Sequence, residues 1–261
     1  MDVTSQPRTI DLNSDLGEGF GPFQVGADEA LFPLISSANV ACGFHGGDAS
    51  MMELTVARAK AHGVAVGAHP GFPDRLGFGR RPMAASVSEI RADVLYQLGA
   101  MEGFCRAAGV EMQHVKAHGA LYNLAVGDRR IAEAIARAVR DFDPGLRFFA
   151  IPGSALQMAG EEAGLTVARE AFADRAYEAD GSLVSRSQPG AVIEDVGLVA
   201  ERMVRLVNEG VIETIEGHLL TMEADTICIH SDTPSAVALA EAITARFAAE
   251  GIAIRHFGER M

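Results

Sequence analysis

The chain has 261 residues, 48% hydrophobic and 22% charged, a balance that one large domain spanning 1–261 can bury around a single core. Asp and Glu outnumber Lys and Arg by 35 to 22, a net charge of −13, which excludes the clustered basic surface that nucleic acid or an anionic membrane requires. Cys42, Cys105 and Cys228 are far apart with no CxxC pair, no apolar run approaches about 18 residues, and MDVTSQPRT carries no leader-like stretch, so a reduced, cytoplasmic protein is expected.

The first predicted strand, 9–13, alternates Ile10 and Leu12 with Asp11, Asn13 and, just beyond it, Asp15. It runs into the glycine-rich turn DLNSDLGEGFG (11–21), whose carboxylates suit a general base or metal ligands; equally, Asp11 and Asn13 can pair with neighbours and Glu18 can cap a turn. Pro22 stands where GxGxxG needs its last glycine and no GxxxxGK[ST] occurs, so ATP binding by those routes is not expected. A helix over 28–34 leads to a strand over 35–41, where Ser37, Asn39 and Ala41 share a parity with His45 past its end. His45 lies among glycines that let the backbone approach a ligand, and Asp48 precedes a helix over 50–62, where it reads as an N-cap as readily as a catalytic acid.

A strand over 64–68 ends beside His69, and the loop through 81 is rich in Gly and Pro and carries three arginines; Arg75 is a candidate grip for a carboxylate. The helix over 86–108 opens with Ser86 three residues before Glu89, a capping-box spacing. The strand over 112–117 puts His114, Lys116 and the following His118 on one face, with Asn123 further on. A buried lysine must pair with a carboxylate or lose its proton, so Lys116 suits oxyanion stabilisation or proton transfer, or is the fixed partner of Asp11 or Asp15. A helix over 128–140, a strand over 146–151, a helix over 154–163 and a strand over 166–170 follow, and then a loop with Arg175 and Arg186. After a helix over 193–208, residues 211–223 read as a small hairpin; the last strand, 226–230, sets Thr226, Cys228, His230 and Asp232 on one parity before a helix over 234–250.

Repeated strand–helix units predict a parallel sheet with helices outside. Parallel strands covered on both faces read as unbroken Val/Ile/Leu runs, whereas these carry one apolar and one polar face. Polar faces from several strands meet in the lumen of a closed barrel, whose C-terminal mouth builds the site; seven strands predict a barrel short of eight. There is no GxSxG elbow, no HExxH and no reactive-cysteine setting.

The runs DLNSDLGEGFG, ISSANVACGFHGGD, GAHPGFPDRLGFGRR, VKAHGALYN and FADRAYEADGSLVSR, in this order, resemble the signature segments of the LamB/YcsF family from about Ile10 to Ile254. The resemblance implies a seven-stranded parallel β/α barrel of the glycoside hydrolase/deacetylase type and ATP-dependent hydrolysis of the lactam of 5-oxo-L-proline to L-glutamate. It also implies partner chains, the 5-oxoprolinase subunits B and C, which handle ATP as co-substrate. Ser231 departs from the His-Gly-Asp turn expected there, which bears on His230 and Asp232. The expected catalytic residues are Asp15, His45, His69, Lys116 and His118: Asp15 with His45 or His69 as base, Lys116 and His118 for the oxyanion. Asn39, Arg75, Asn123, Arg175, Arg186, His230 and Asp232 are the expected substrate contacts. Two alternatives stand beside this reading: a metal-dependent carbohydrate deacetylase with Asp15, His45 and His69 around a divalent ion, and a non-catalytic subunit that only completes a complex.

Overall fold

Seven parallel strands close on themselves: β1 (Thr9–Leu16), β2 (Ser37–Ala41), β3 (Ala65–His69), β4 (Met112–Val115), β5 (Arg147–Ala150), β6 (Thr166–Phe172) and, after the antiparallel hairpin β7 (Val211–Glu213) and β8 (Leu219–Thr221), β9 (Thr226–Ile229). β9 pairs with both β6 and β1, which completes the seven-stranded barrel. A two-residue strand, β10 (Ala253–Ile254), extends the sheet beside Thr9 and Ile10. The computed structural model describes residues 8–259; MDVTSQP, on which most of the leader expectation bears, lies outside the described residues. Among the described residues no helix is long and apolar enough to cross a membrane.

The period-two pattern explains the closure. Leu12, Leu16, Val40, Val66, Val115, Phe148 and Ile227 are all buried in the hydrophobic core that receives the helices. The opposite parity fills the lumen with a continuous polar network. At its base Asp11 accepts hydrogen bonds from Ser36 Oγ (2.7 Å), Ser37 Oγ (2.6 Å) and Thr226 Oγ1 (2.5 Å). Above it the Asn39 amide donates to Asn13 Oδ1 (2.7 Å) and Asp15 Oδ1 (2.9 Å), and His114 Nε2 meets Asn39 Oδ1 at 2.8 Å. Apart from His114 Nδ1, which is buried without a partner, these buried polar groups pair within the lumen, so polar strand faces are tolerated where apolar ones would be usual.

The outer helices are α1 (Asp28–Leu31), α2 (Ala49–His62), α3 (Val87–Ala108), α4 (Gly119–Gly127), α5 (Arg129–Phe142), α6 (Ala155–Glu162), α7 (Val196–Glu209) and α8 (Ala236–Ala249). The helix predicted over 28–34 is a single α-turn, and Pro33 marks its change to a 3₁₀ turn at Phe32–Leu34. Asp48 caps α2 by accepting from the Met51 amide, and its second oxygen takes the Gly21 amide. The capping box of Ser86 and Glu89 opens α3. α4 has no counterpart among the predicted elements.

Candidate active site

The C-terminal ends of the strands surround a pocket of about 540 Å³. Asp15, Glu18, His69, Lys116 and His118 lie on its inner wall, and Asn123, Arg175, Arg186, His230 and Asp232 are also among its lining residues. The loop 182–186 covers one side.

Lys116 is the most heavily partnered group. Its Nζ stands 2.9 Å from Asp15 Oδ1, 2.9 Å from Glu170 Oε1 and 2.9 Å from Cys228 Sγ. Tyr122 donates to the other Glu170 oxygen at 2.9 Å. Burial opposes the ammonium, and the Asp15 carboxylate, with Glu170 adding, outweighs it and keeps Lys116 charged. Burial would likewise raise Asp15, but His69 and Lys116 hold its carboxyl well below the usual range. The Cys228 thiol is pushed well up by burial, which keeps its sulfur neutral and a weak acceptor.

Beside this ion network stand the histidines. His69 Nδ1 lies 2.8 Å from the Lys116 carbonyl oxygen and His118 Nε2 lies 2.8 Å from that of Phe78. A carbonyl oxygen can only accept, so those nitrogens carry hydrogens, which leaves His69 Nε2 and His118 Nδ1 as the ring atoms turned toward the site. These two atoms face each other at 2.9 Å. Asp15 Oδ2 is 3.3 Å from His69 Nε2, and Glu18 Oε1 is 3.3 Å from His118 Nδ1. Burial, reinforced by His69, holds His118 well below the ordinary imidazole range. His118 lines the pocket with Nδ1 turned toward His69 and Glu18 and its Nε2 hydrogen given to Phe78. His45 stacks on His118, ring centroids 3.6 Å apart, and its Nε2 meets Glu18 Oε1 at 3.1 Å; it is buried behind the pocket wall. Burial pushes Glu18 well above its usual range, with Asp15 and Asp232 adding.

The remaining expected residues separate by position. Asn39 belongs to the lumen network beneath Asp15. Arg75 turns from the pocket: its guanidinium donates to the carbonyls of Gly43 (2.6 Å) and Gly47 (3.0 Å) and lies over Phe20, so it braces the loop after β2. Arg175 donates to the carbonyls of Val184 (2.5 Å) and Ala191 (3.3 Å), and burial beside Arg186 lowers it to about 10. His230 Nδ1 pairs with Asp174 Oδ1 at 2.9 Å, and Asp232 pairs with Arg80 at 2.7 Å. Ser231 Oγ is buried, and a Cβ on Gly26 would lie 2.6 Å from it, so the serine fits only because residue 26 is glycine.

Glu18, Glu170, Tyr122, Asp174 and Arg80 are drawn into the site without having been selected from the sequence. Glu18 and Glu170 carried a signal, since one follows Asp15 in the same turn and the other ends a predicted strand as a lone acid. Tyr122 sits on α4 and gave none. Among the described residues, Glu18, His45, His69 and His118 offer ligand atoms within 4.8 Å of one another, and Asp15, Cys228 and His230 form a second such group. The first set differs from the Asp15, His45 and His69 trio expected for an ion.

The LamB/YcsF family model matches residues 10–261. The chain is 52% identical over 247 residues to the 5-oxoprolinase A subunit of Symbiobacterium thermophilum, covering 95% of each. It is 49% identical over 251 residues to the 5-oxoprolinase A subunit of Bacillus subtilis, covering 96% of this chain and 98% of that one. Among solved structures, a lactam utilization protein from Thermus thermophilus superposes with a TM-score of 0.92 at 50% identity, over 95% of this chain and 100% of that one.

Proposed function

Because the chain belongs to the LamB/YcsF family, we propose that it is the hydrolytic subunit of an ATP-dependent 5-oxoprolinase, opening 5-oxo-L-proline to L-glutamate with partner subunits B and C. The names of its relatives support the lactam and the division into subunits. The observation that carries the reading is one pocket in which the ionised Asp15, the charged Lys116 and the Arg175–Arg186 pair all face the same space. A five-membered lactam is a stable amide, and no phosphate-loop motif occurs in the chain, so ATP is handled by the partners and the ring arrives activated.

Arg175 and Arg186 then hold the substrate carboxylate or an attached phosphate, with Asn123 beside them. Water held against Asp15 and His69 adds to the lactam carbonyl carbon as Asp15 takes its proton. The developing oxyanion draws the Lys116 hydrogen that now rests on Cys228, a weak acceptor. Collapse breaks the ring C–N bond as the leaving nitrogen takes the proton held by Asp15 and becomes the amino group of glutamate, and the phosphoryl group of the activated ring passes to a second water and leaves as inorganic phosphate. Three free, buried cysteines fit action in the cytoplasm. The test is glutamate release from 5-oxoproline with ATP, with and without the partner chains; no release from the complete mixture would refute the assignment. Metal-dependent deacetylation of a carbohydrate is a second reading, favoured by the Glu18–His45–His69–His118 cluster, and acetate release from an N-acetylated sugar tests it.

A further inference from the structure

We propose that Glu18, His69 and His118 form the binding site of a divalent transition-metal ion, with His45 as the residue that positions the Glu18 carboxylate. The site deepens the hydrolytic reading above and rests on it only for the use made of the ion.

Three observations converge. The first is the tautomer lock: the carbonyls of Lys116 and Phe78 fix the hydrogens of His69 and His118 on the far sides of their rings. Such outer hydrogen bonds are how metal-binding histidines are usually oriented. The second is the convergence of ligand atoms. His69 Nε2, His118 Nδ1 and Glu18 Oε1 are separated by 2.9, 3.3 and 4.0 Å. Ligand atoms at about 2.0–2.2 Å from a common ion stand roughly 3–3.5 Å apart, so small shifts bring all three onto one centre. A proton can bridge one of these contacts; a dication meets all three.

The third is the rigidity of the rings' surroundings. A Cβ on Gly71 would lie 2.7 Å from His45 Nδ1, and one on Gly79 would lie 2.6 Å from His45 Cβ and 2.8 Å from His118 Cδ2. The loop through 81 therefore clamps both rings. His45 and His118 are parallel at 3.6 Å, so their in-plane lone pairs cannot both point at one ion between them. His69 and His118 are at 88° and can. His45 is thus left to donate from Nε2 to Glu18 Oε1, which fixes the carboxylate.

Two imidazoles and a carboxylate select Zn²⁺, Co²⁺ or a neighbouring ion over Mg²⁺ or Ca²⁺, and three protein ligands leave positions open toward the pocket. When bound, such an ion supplies Lewis-acid polarisation of a carbonyl or phosphoryl oxygen.

The test uses the isolated chain and needs no substrate. After chelator treatment, it is dialysed against Zn²⁺ or Co²⁺, and metal content, affinity and the Co²⁺ visible spectrum are measured alongside thermal melting. The expected result is one equivalent per chain, intense Co²⁺ bands of a low-coordinate nitrogen-rich site, and binding weakened about 100-fold or more by Glu18→Gln or His118→Ala. His45→Gln, which can still donate to Glu18, should weaken it by less than His45→Ala, whose loss is about 10–100-fold. Folded wild-type protein without stoichiometric metal, or ligand variants that bind as tightly as wild type, would overturn the site. Should the ligand variants not fold, the wild-type Co²⁺ spectrum decides: the weak bands of a hydrated ion contradict it. Metal binding without glutamate formation from the full complex would sink the lactam assignment and leave the site standing; the converse would do the opposite.

Discussion

At the residue scale, Asp28 sets a pH dependence that can be measured apart from activity. One carboxylate oxygen accepts from the Gly17 amide at 2.8 Å, the other is buried without a hydrogen-bond partner, and burial raises the group from 3.8 to about 6. The folded value lies above the unfolded one, so this stabilisation is fully present below about pH 4 and is lost as pH rises through 6, amounting to about 3 kcal/mol at most. Asp28→Asn keeps an oxygen for Gly17 and removes the buried charge. Urea titrations between pH 4 and 7 should show a flatter profile and higher stability at pH 7 than wild type; an unchanged slope contradicts the account. Lys116 presents the opposite case. Lys116→Met strands the Asp15 and Glu170 carboxylates, so stability at neutral pH should fall by about 3–5 kcal/mol and turnover by a factor of about 10²–10³. Adding Glu170→Gln should restore part of the stability and none of the turnover, which separates the two roles of one ammonium. The residue types at the mouth were legible in the sequence, but not their ring nitrogens. Period two brings His69, Lys116 and His118 to one end, whereas the direction of each imidazole depends on the carbonyls of Lys116 and Phe78, which only the fold supplies. Arg75 lies outside the pocket lining, where it braces two loop carbonyls, a placement its sequence neighbours do not reveal.

At the scale of the element, strand parity was the informative signal and helix composition the weak one. The polar faces of β1, β2, β4 and β9 meet in the lumen as their alternation predicts. β1 runs three residues past its predicted end because Ser14, turn-like in sequence, donates to the Ile229 carbonyl at 2.6 Å and stays in the sheet. α4 was illegible because GALYNLAVG is bounded by glycines and offers no polar stripe; its Ala120, Leu121, Tyr122 and Ala125 are buried. The lumen also leaves a testable mark on β3. A Cβ on Gly67 would lie 2.2 Å from the His114 ring, which crosses the lumen to Asn39. Gly67→Ala should cost about 1–3 kcal/mol by overpacking and slow turnover by disturbing Asn39 beneath Asp15. Ser86→Ala, at the exposed capping box of α3, should cost about 1 kcal/mol and leave kinetics unchanged. Paired melts and rate measurements check both, and equal kinetic effects would deny the lumen its part in positioning the site.

At the scale of the molecule, the barrel offers a mouth lined by titratable groups in a chain without a phosphate-loop motif, and the proposed function follows from that division. The isolated chain should neither hydrolyse ATP nor release glutamate, and nucleotide should bind it only weakly in calorimetry. The measurement that bears most directly on the central claim is ATP-dependent glutamate release from 5-oxoproline by the assembled subunits, carrying either wild-type chain or Asp15→Asn. Asn keeps an oxygen for the Asn39 amide but cannot take a proton from water, so assembly should persist while glutamate release falls by about 10²-fold or more. An assembled complex that forms glutamate at the wild-type rate with Asp15→Asn would show that the chemistry is not done in this pocket.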